Sequence, residues 1–215
     1  MLPQLLSVFL QSGCRFCTRT SSEHICQYCL AKLSECQLKE RDRRHWWGEM
    51  PVFAWGRYEG QLKRAIALMK YNNHPELGII LGELLAKAWL TSNLTELKKI
   101  SVIPIPLHRH KIKDRGFNQA EKIARGFCHL TGYKLRDRTL IRVKETKAMF
   151  DLNPEERIKN MRGAFRLNKE LPKYPVLLLD DIYTRGTTVN ESAKILRRNG
   201  VNVIGSIVVA KTSKL

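Results

Sequence analysis

Apolar positions along this chain switch between helical and strand spacing. From Tyr58 they recur every three or four residues, at Tyr58, Leu62, Ile66 and Met69, which predicts an amphipathic helix. A second helix is expected from about Pro75 to Leu90, with Leu77, Leu81, Leu84, Leu85 and Ala88 on one side. Pro75 suits its first position, where no backbone N–H is needed. The run ISVIPIPL at 100–107 reads as a strand closed by Pro104 and Pro106. A third helix is expected over Asn118–Leu130, with Ala120, Ile123, Ala124 and Phe127 inward and Gly132 as a stop. Val176 to Leu179 is continuously apolar, as in a strand buried on both faces. Thr188–Asn199 reads as a helix ended by Gly200, and Val201–Val209 as another buried strand. Strand, loop, helix and strand within 176–209 form a βαβ unit with parallel pairing. The expected class is therefore α/β with a parallel, Rossmann-like sheet, and such sheets place ligands at the carboxyl ends of their strands.

A length of 215 residues suits one such domain plus a small appendage. Hydrophobic residues at 43% and charged residues at 27% are compatible with a packed core. The opening MLPQLLSVFLQSG lacks a basic front and a small-residue cleavage site, so it is expected to be a packing helix rather than a signal peptide. No apolar run approaches the ~18 residues of a membrane span. These features disfavour secreted, integral-membrane and repeat classes and make the cytoplasm the expected location. The net charge is +18, and residues 111–170 carry 16 basic against 8 acidic side chains. That balance fits polyanionic partners such as nucleic acid, anionic lipid or phosphorylated small molecules, or else a solvated basic surface.

Four of the six cysteines, Cys14, Cys17, Cys26 and Cys29, form two C-x2-C pairs separated by eight residues. Each pair can aim two sulfurs at one centre, and two pairs make a closed tetrahedral zinc site with Zn–S distances of about 2.3 Å. Disulfides and a redox C-x-x-C are the alternatives, and a reduced compartment favours zinc over both. Four thiolates leave no open position, so the metal's expected role is structural. Cys36 and Cys128 stand apart as packing residues, and His24 lies inside the zinc loop. Residues 30–50 read as a polar connector that ends near Trp46 and Trp47. The Trp pair suits buried anchoring between modules, with base stacking as the alternative.

After the strand at 176–179 the chain reads DDIYTRGTT. Asp180 and Asp181 are adjacent carboxylates where a ligand would bind. The loop Thr184-Arg185-Gly186-Thr187-Thr188 runs into a helix N-terminus, whose free N–H groups and positive end attract phosphate. Gly186 permits close backbone approach. An acid pair suits vicinal hydroxyls or a hard cation beside them. Together they describe a phosphorylated ribose. The plainer alternative is a capping box of Thr188 and Glu191 beside a polar strand end.

VLLLDDIYTRGTT at 176–188 resembles the phosphoribosyl pyrophosphate (PRPP) binding motif of type I phosphoribosyltransferases. The resemblance implies that Asp180 and Asp181 hold the ribose hydroxyls as the catalytic pair. It assigns the 5′-phosphate to Thr184, Arg185, Gly186, Thr187 and Thr188. Tyr183 stands where that motif usually has a smaller aliphatic, and Arg185 where many members have Thr. More of the chain is similar to something narrower. The four-cysteine module, YEGQLKRAIALMKY (58–71), VIPIPLHRHKIKDRGFNQA (102–120), RVKETKAMFDLNPEERIKNMRGAF (142–165) and the acid-pair loop occur in one order that resembles the ComF (ComFC) family of bacterial proteins linked to natural competence.

That resemblance implies a four-cysteine zinc module with its connector over 1–50 and a phosphoribosyltransferase-like domain over 51–215. It implies structural Zn2+, Mg2+ accompanying PRPP, and a role in DNA uptake and transformation alongside single-stranded DNA and competence-machinery proteins. The stretch Ile105–Arg109 would hold pyrophosphate, with Arg109, Lys111, Arg115, Arg142 and Lys144 as leaving-group contacts and 142–162 as a lid. His108 and His110 are candidates for proton transfer, although a single histidine is more often structural. Met149 stands where the family often has Gln. A PRPP-dependent transferase is one implied activity. A non-catalytic adaptor that keeps the fold and binds DNA and protein is the other.

Overall fold

The apolar runs predicted as buried strands become the centre of a six-stranded sheet. The computed structural model describes residues 13–45, 50–92, 94, 99–146, 153–168 and 170–212. The opening packing helix, the Trp46–Trp47 anchor and Met149 lie outside the described residues. In chain order the elements begin with α1 (Gln27–Ser34), α2 (Glu40–Arg43), β1 (Arg44–His45) and β2 (Val52–Arg57). Next come α3 (Gly60–Tyr71), α4 (Glu76–Leu90), β3 (Ser101–Pro104), α5 (Arg109–Arg115), α6 (Gln119–Thr131) and β4 (Lys134–Leu135). The last are β5 (Leu140–Arg142), α7 (Pro154–Met161), β6 (Phe165–Leu167), β7 (Val176–Tyr183), α8 (Thr187–Arg198) and β8 (Val203–Lys211).

The large sheet has the order β1-β2-β8-β7-β3-β4, and every pairing in it is parallel except β1 with β2. Alternate residues of β7 face opposite layers, as the period of two requires. Leu177 and Leu179 join an apolar cluster with Leu62, Leu81 and Phe127 from α3, α4 and α6. Val176 and Leu178 join a second cluster with Leu196 of α8, Met161 of α7 and Phe165 of β6. Burial on both sides explains the apolar runs at 176–179 in β7 and 207–210 in β8. A short antiparallel hairpin, β5 with β6, stands apart from the main sheet.

The predicted βαβ unit is present as β7–α8–β8, with β7 and β8 parallel. The helices expected from periodicity match α3, α4 and α6 to within two residues. Asn118 caps α6 by accepting the Ala120 N–H at 3.1 Å, and Gly132 ends it in the left-handed region. The expected connector over 30–50 instead holds part of α1 together with α2 and β1. Cys14, Phe16, Cys29 and Leu33 share one buried cluster with Leu62 and Ile66, so the cysteine segment packs directly on α3. The Arg64 guanidinium donates to the Phe16 carbonyl at 2.7 Å, and Arg15 pairs with Glu76 at 3.1 Å.

Sheet order fixes where a ligand can bind. From β3 the chain crosses through α6 to β4, away from the centre on one side. From β7 it crosses through α8 to β8 on the other. The gap between β3 and β7 is thus the point where strand order reverses, the position of the ligand crevice in open α/β sheets. β3 ends opposite Leu179, while β7 continues to Tyr183 beside β8. Asp180 and Asp181 therefore stand on the step where β3 has run out.

Candidate functional site at the twin carboxylates

Both carboxylates of the step are buried, Asp180 at 9% exposure and Asp181 at 5%. They are the only acidic residues so buried among those described. The sequence placed them past the strand's end; the structure places them inside β7, and their carboxyls take over backbone pairing. The Asp181 N–H donates to Asp180 Oδ1 at 2.9 Å, and the Ile182 N–H donates to Asp181 Oδ1 at 3.0 Å. The remaining oxygen of Asp181 forms an ion pair with Lys70 Nζ, from the last turn of α3. Burial and the neighbouring Asp181 charge hold the Asp180 carboxyl well above the usual range. Burial also works against ionised Asp181, but the Lys70 ammonium outweighs it and holds that carboxyl below the usual range. The two acids behave as a pair of opposite bias, one prone to carry a proton and one ionised.

Cations surround this pair. Burial lowers the Arg142 guanidinium against the attraction of Asp180, which places Arg142 in the field of the acids. Burial lowers Lys111 too, and Arg142, Arg115 and Lys70 lower it further. Arg115 stacks 5.9 Å from the Tyr71 ring. Arg142 donates to Thr146 Oγ1 and lies 5.7 Å from the Phe165 ring. Lys70, Lys111, Arg115 and Arg142 thus converge from α3, α5 and β5 on one anion-attracting spot. No ion pair links the other two leaving-group candidates, Arg109 and Lys144, to the acids among the described residues. Arg109 is exposed, and exposed Lys144 donates to the Lys159 carbonyl at 3.4 Å. In the expected lid over 142–162, residues 147–152 lie outside the described residues, and α7 packs against α8.

On the other side of the acids, the 184–188 loop opens α8. Gly186 is the N-cap with φ 71°, and no side chain caps the helix. A capping box of Thr188 with Glu191 is therefore not formed. Thr188 lies within the helix and accepts the Ser192 hydroxyl at 2.9 Å through its carbonyl. The first N–H groups of α8 stay available to an anion. Any side chain at Gly186 would meet the Tyr183 hydroxyl, and the positive φ penalises it further. Thr184 and Arg185 are exposed and Thr187 and Thr188 half-buried, so Arg185 does not fill the bend. A small pocket follows the bend and is lined by Asp180, Tyr183, Thr184, Gly186, Thr187 and Thr188.

The four cysteines meet in a second centre. Their Sγ atoms lie within 4.8 Å of one another, all free thiols, with Cys17 Sγ and Cys26 Sγ at 3.7 Å. The Cys26 N–H donates to Cys14 Sγ at 3.3 Å. Burial pushes the Cys14 thiol up, yet the N–H groups of Cys26, Phe16 and Cys17 prevail and bring it down to about 6. Convergent thiols with N–H donors aimed at sulfur fit a tetrathiolate ion such as zinc. His24 is outside this group of four.

The chain is 30% identical over 207 residues to competence protein F of Haemophilus influenzae, covering 91% of this chain and 87% of that one. The chain belongs to the competence protein F family. It is also 27% identical to the DNA utilization protein YhgH of Salmonella typhimurium over 68% of this chain and 66% of that one. Competence protein ComFC of Streptococcus pneumoniae is 32% identical over 53% of this chain and 49% of its own. No family model matches the chain. With membership in the competence protein F family established, Lys70 stands out as the site residue that sequence reasoning passed over. It lay inside YEGQLKRAIALMKY, and its only signal was a lysine near the end of an otherwise amphipathic helix. No helix among the described residues is long and apolar enough to cross a membrane.

Proposed function

We propose that this member of the competence protein F family binds PRPP at the β3–β7 crevice and acts as a phosphoribosyltransferase in DNA uptake. The observation that carries the reading is the buried Asp180–Asp181 step set between a four-cation cluster and an uncapped helix N-terminus. In this reading the ribose hydroxyls take the place of Lys70 on the acids. The 5′-phosphate sits on the N–H groups of Gly186, Thr187 and Thr188. Lys70, Lys111, Arg115 and Arg142 receive the pyrophosphate, with Arg109 and Lys144 reaching it only after the segment that follows β5 rearranges. Mg2+ takes oxygen ligands, and the two buried carboxylates beside a polyphosphate supply that chemistry. Loss of pyrophosphate from C1′ has oxocarbenium character, so the residues would act by positioning and by charge stabilisation. The names of the relatives support a role in competence and DNA use.

Calorimetric titration with PRPP and Mg2+ tests this, followed by a pyrophosphate-release screen over bases and oligonucleotides. Saturable binding lost in Asp180→Asn/Asp181→Asn is expected; absence of heat with the wild-type chain overturns the reading. A second reading is favoured by the closed Lys70–Asp181 pair and by the +18 charge. In it the pocket binds without turnover, the basic surface holds single-stranded DNA, and the zinc module, over 1–50 with its connector, docks competence-machinery proteins. PRPP binding without pyrophosphate release from any acceptor is its expected signature.

A further inference from the structure

Outside the twin-carboxylate step and the four cysteines, one more group of metal-ligating side chains converges among the described residues. One imidazole nitrogen from each of His108 and His110 and one carboxylate oxygen of Glu145 lie within 4.8 Å of one another. His110 Nδ1 is 2.9 Å from Glu145 Oε2, and the two rings meet edge to face at 4.9 Å. The backbone holds these residues together from two directions. His108 is buried at 8% exposure and is the N-cap of α5, and it bridges in parallel to Arg142 at the end of β5. Glu145 lies three residues beyond that bridge, on the strap that follows β5.

We infer that His108, His110 and Glu145 form a second metal site, for a borderline divalent transition ion, that pins the strap after β5 to the start of α5. Two imidazoles and one carboxylate are a common donor set for such ions, with positions left for water or a substrate oxygen. Bonds of about 2.0–2.1 Å put tetrahedral donors roughly 3.3 Å apart. The His110 and Glu145 side chains, 52% and 55% exposed, have room to close from the observed spacing. The surroundings help to select the ion. Lys111 and Arg142 make this a positive neighbourhood, which disfavours a hard cation held by charge alone. An ion held by imidazole nitrogen tolerates it better. His108 leads directly into the helix carrying Lys111 and Arg115, and the strap begins at Arg142. An ion here would therefore fix the spacing of three of the four clustered cations. The site is independent of whether PRPP binds.

The test uses the full chain, stripped of metal and reloaded with Co2+ alone. Metal content is read by mass spectrometry and ligand type by absorption. Wild type is expected to hold about two equivalents, one with intense thiolate-to-metal absorption and one with only weak nitrogen–oxygen bands. His110→Ala and Glu145→Gln, both at exposed side chains, are expected to hold one, with the thiolate absorption intact. Equal stoichiometry in wild type and both variants overturns the assignment, whether that number is one or two.

Discussion

Lys70 and Asp181 face each other with side-chain exposures of only 16% and 7%. Removing one partner of such a pair leaves a buried charge and costs about 3–5 kcal/mol, whereas replacing both by neutral groups costs far less. Lys70→Met is therefore expected to lower the urea midpoint strongly, and Lys70→Met/Asp181→Asn to recover most of it. Equal midpoints for the two variants would mean that the pair is solvated. Asp180 responds in the opposite sense. Its carboxyl is raised by burial and by Asp181, so the folded state holds that proton more tightly than the unfolded chain does. The resulting stability is full below the ordinary carboxylate range and is lost as pH rises from there toward the raised value. Asp180→Asn keeps an acceptor for the Asp181 N–H but has no proton to lose. Its melting temperature should exceed wild type near neutral pH, with the gap closing toward pH 3, while PRPP binding is lost. A melting temperature below wild type at pH 7 would contradict the burial cost assigned to Asp180. Stability and the proposed function thus pull apart at one residue.

The helices α4 and α6 show what periodicity can and cannot reveal. Both were legible from apolar spacing, but their contact was not. They meet where Gly82 faces the Ile123 carbonyl and Gly126 the Ile79 carbonyl, backbone against backbone. Alanine improves an exposed helix position over glycine by about 1 kcal/mol. Here the added methyl would fall on a carbonyl that cannot swing aside, and overpacking costs about 1–3 kcal/mol. Gly126→Ala should therefore lower stability in urea unfolding; a rise would mean the helices separate freely. Other elements escaped the sequence for physical reasons. β2 is six residues long, and it is specified by pairing with β8, far away in the chain. α5 buries none of its residues, so RHKIKDR carries no apolar period. β7 and β8 were legible because burial on both faces gives each of them an apolar run, at 176–179 and 207–210. The acid pair and its loop were legible because polar residues directly after such a run interrupt it sharply. Their Lys70 counter-ion was not, because only the fold brings α3 to the end of β7.

At the scale of the whole chain, charge and metal divide the molecule differently. The cysteine centre shares a buried cluster with α3, so metal loss should not be confined to the first fifty residues. Zinc-chelated protein is expected to melt below the loaded form throughout, with α3 included, and hydrogen exchange over Gly60–Tyr71 reads this directly. Unchanged protection there would confine the metal's effect to its own loop. The basic excess has a separate test. If single-stranded DNA follows the surface around α5 and the strap, each phosphate engaged releases counterions, and log affinity falls with log salt by about 0.7 per contact. Some four contacts would then weaken binding about 50-fold between 50 and 200 mM salt. Lys113 is exposed on α5 and is not among the cations that the PRPP reading uses. Lys113→Gln should reduce the salt slope by about 0.7 while leaving PRPP titration unchanged. A slope that stays at its wild-type value would move the strand to another face. A flat wild-type response would leave the +18 charge to some partner other than nucleic acid.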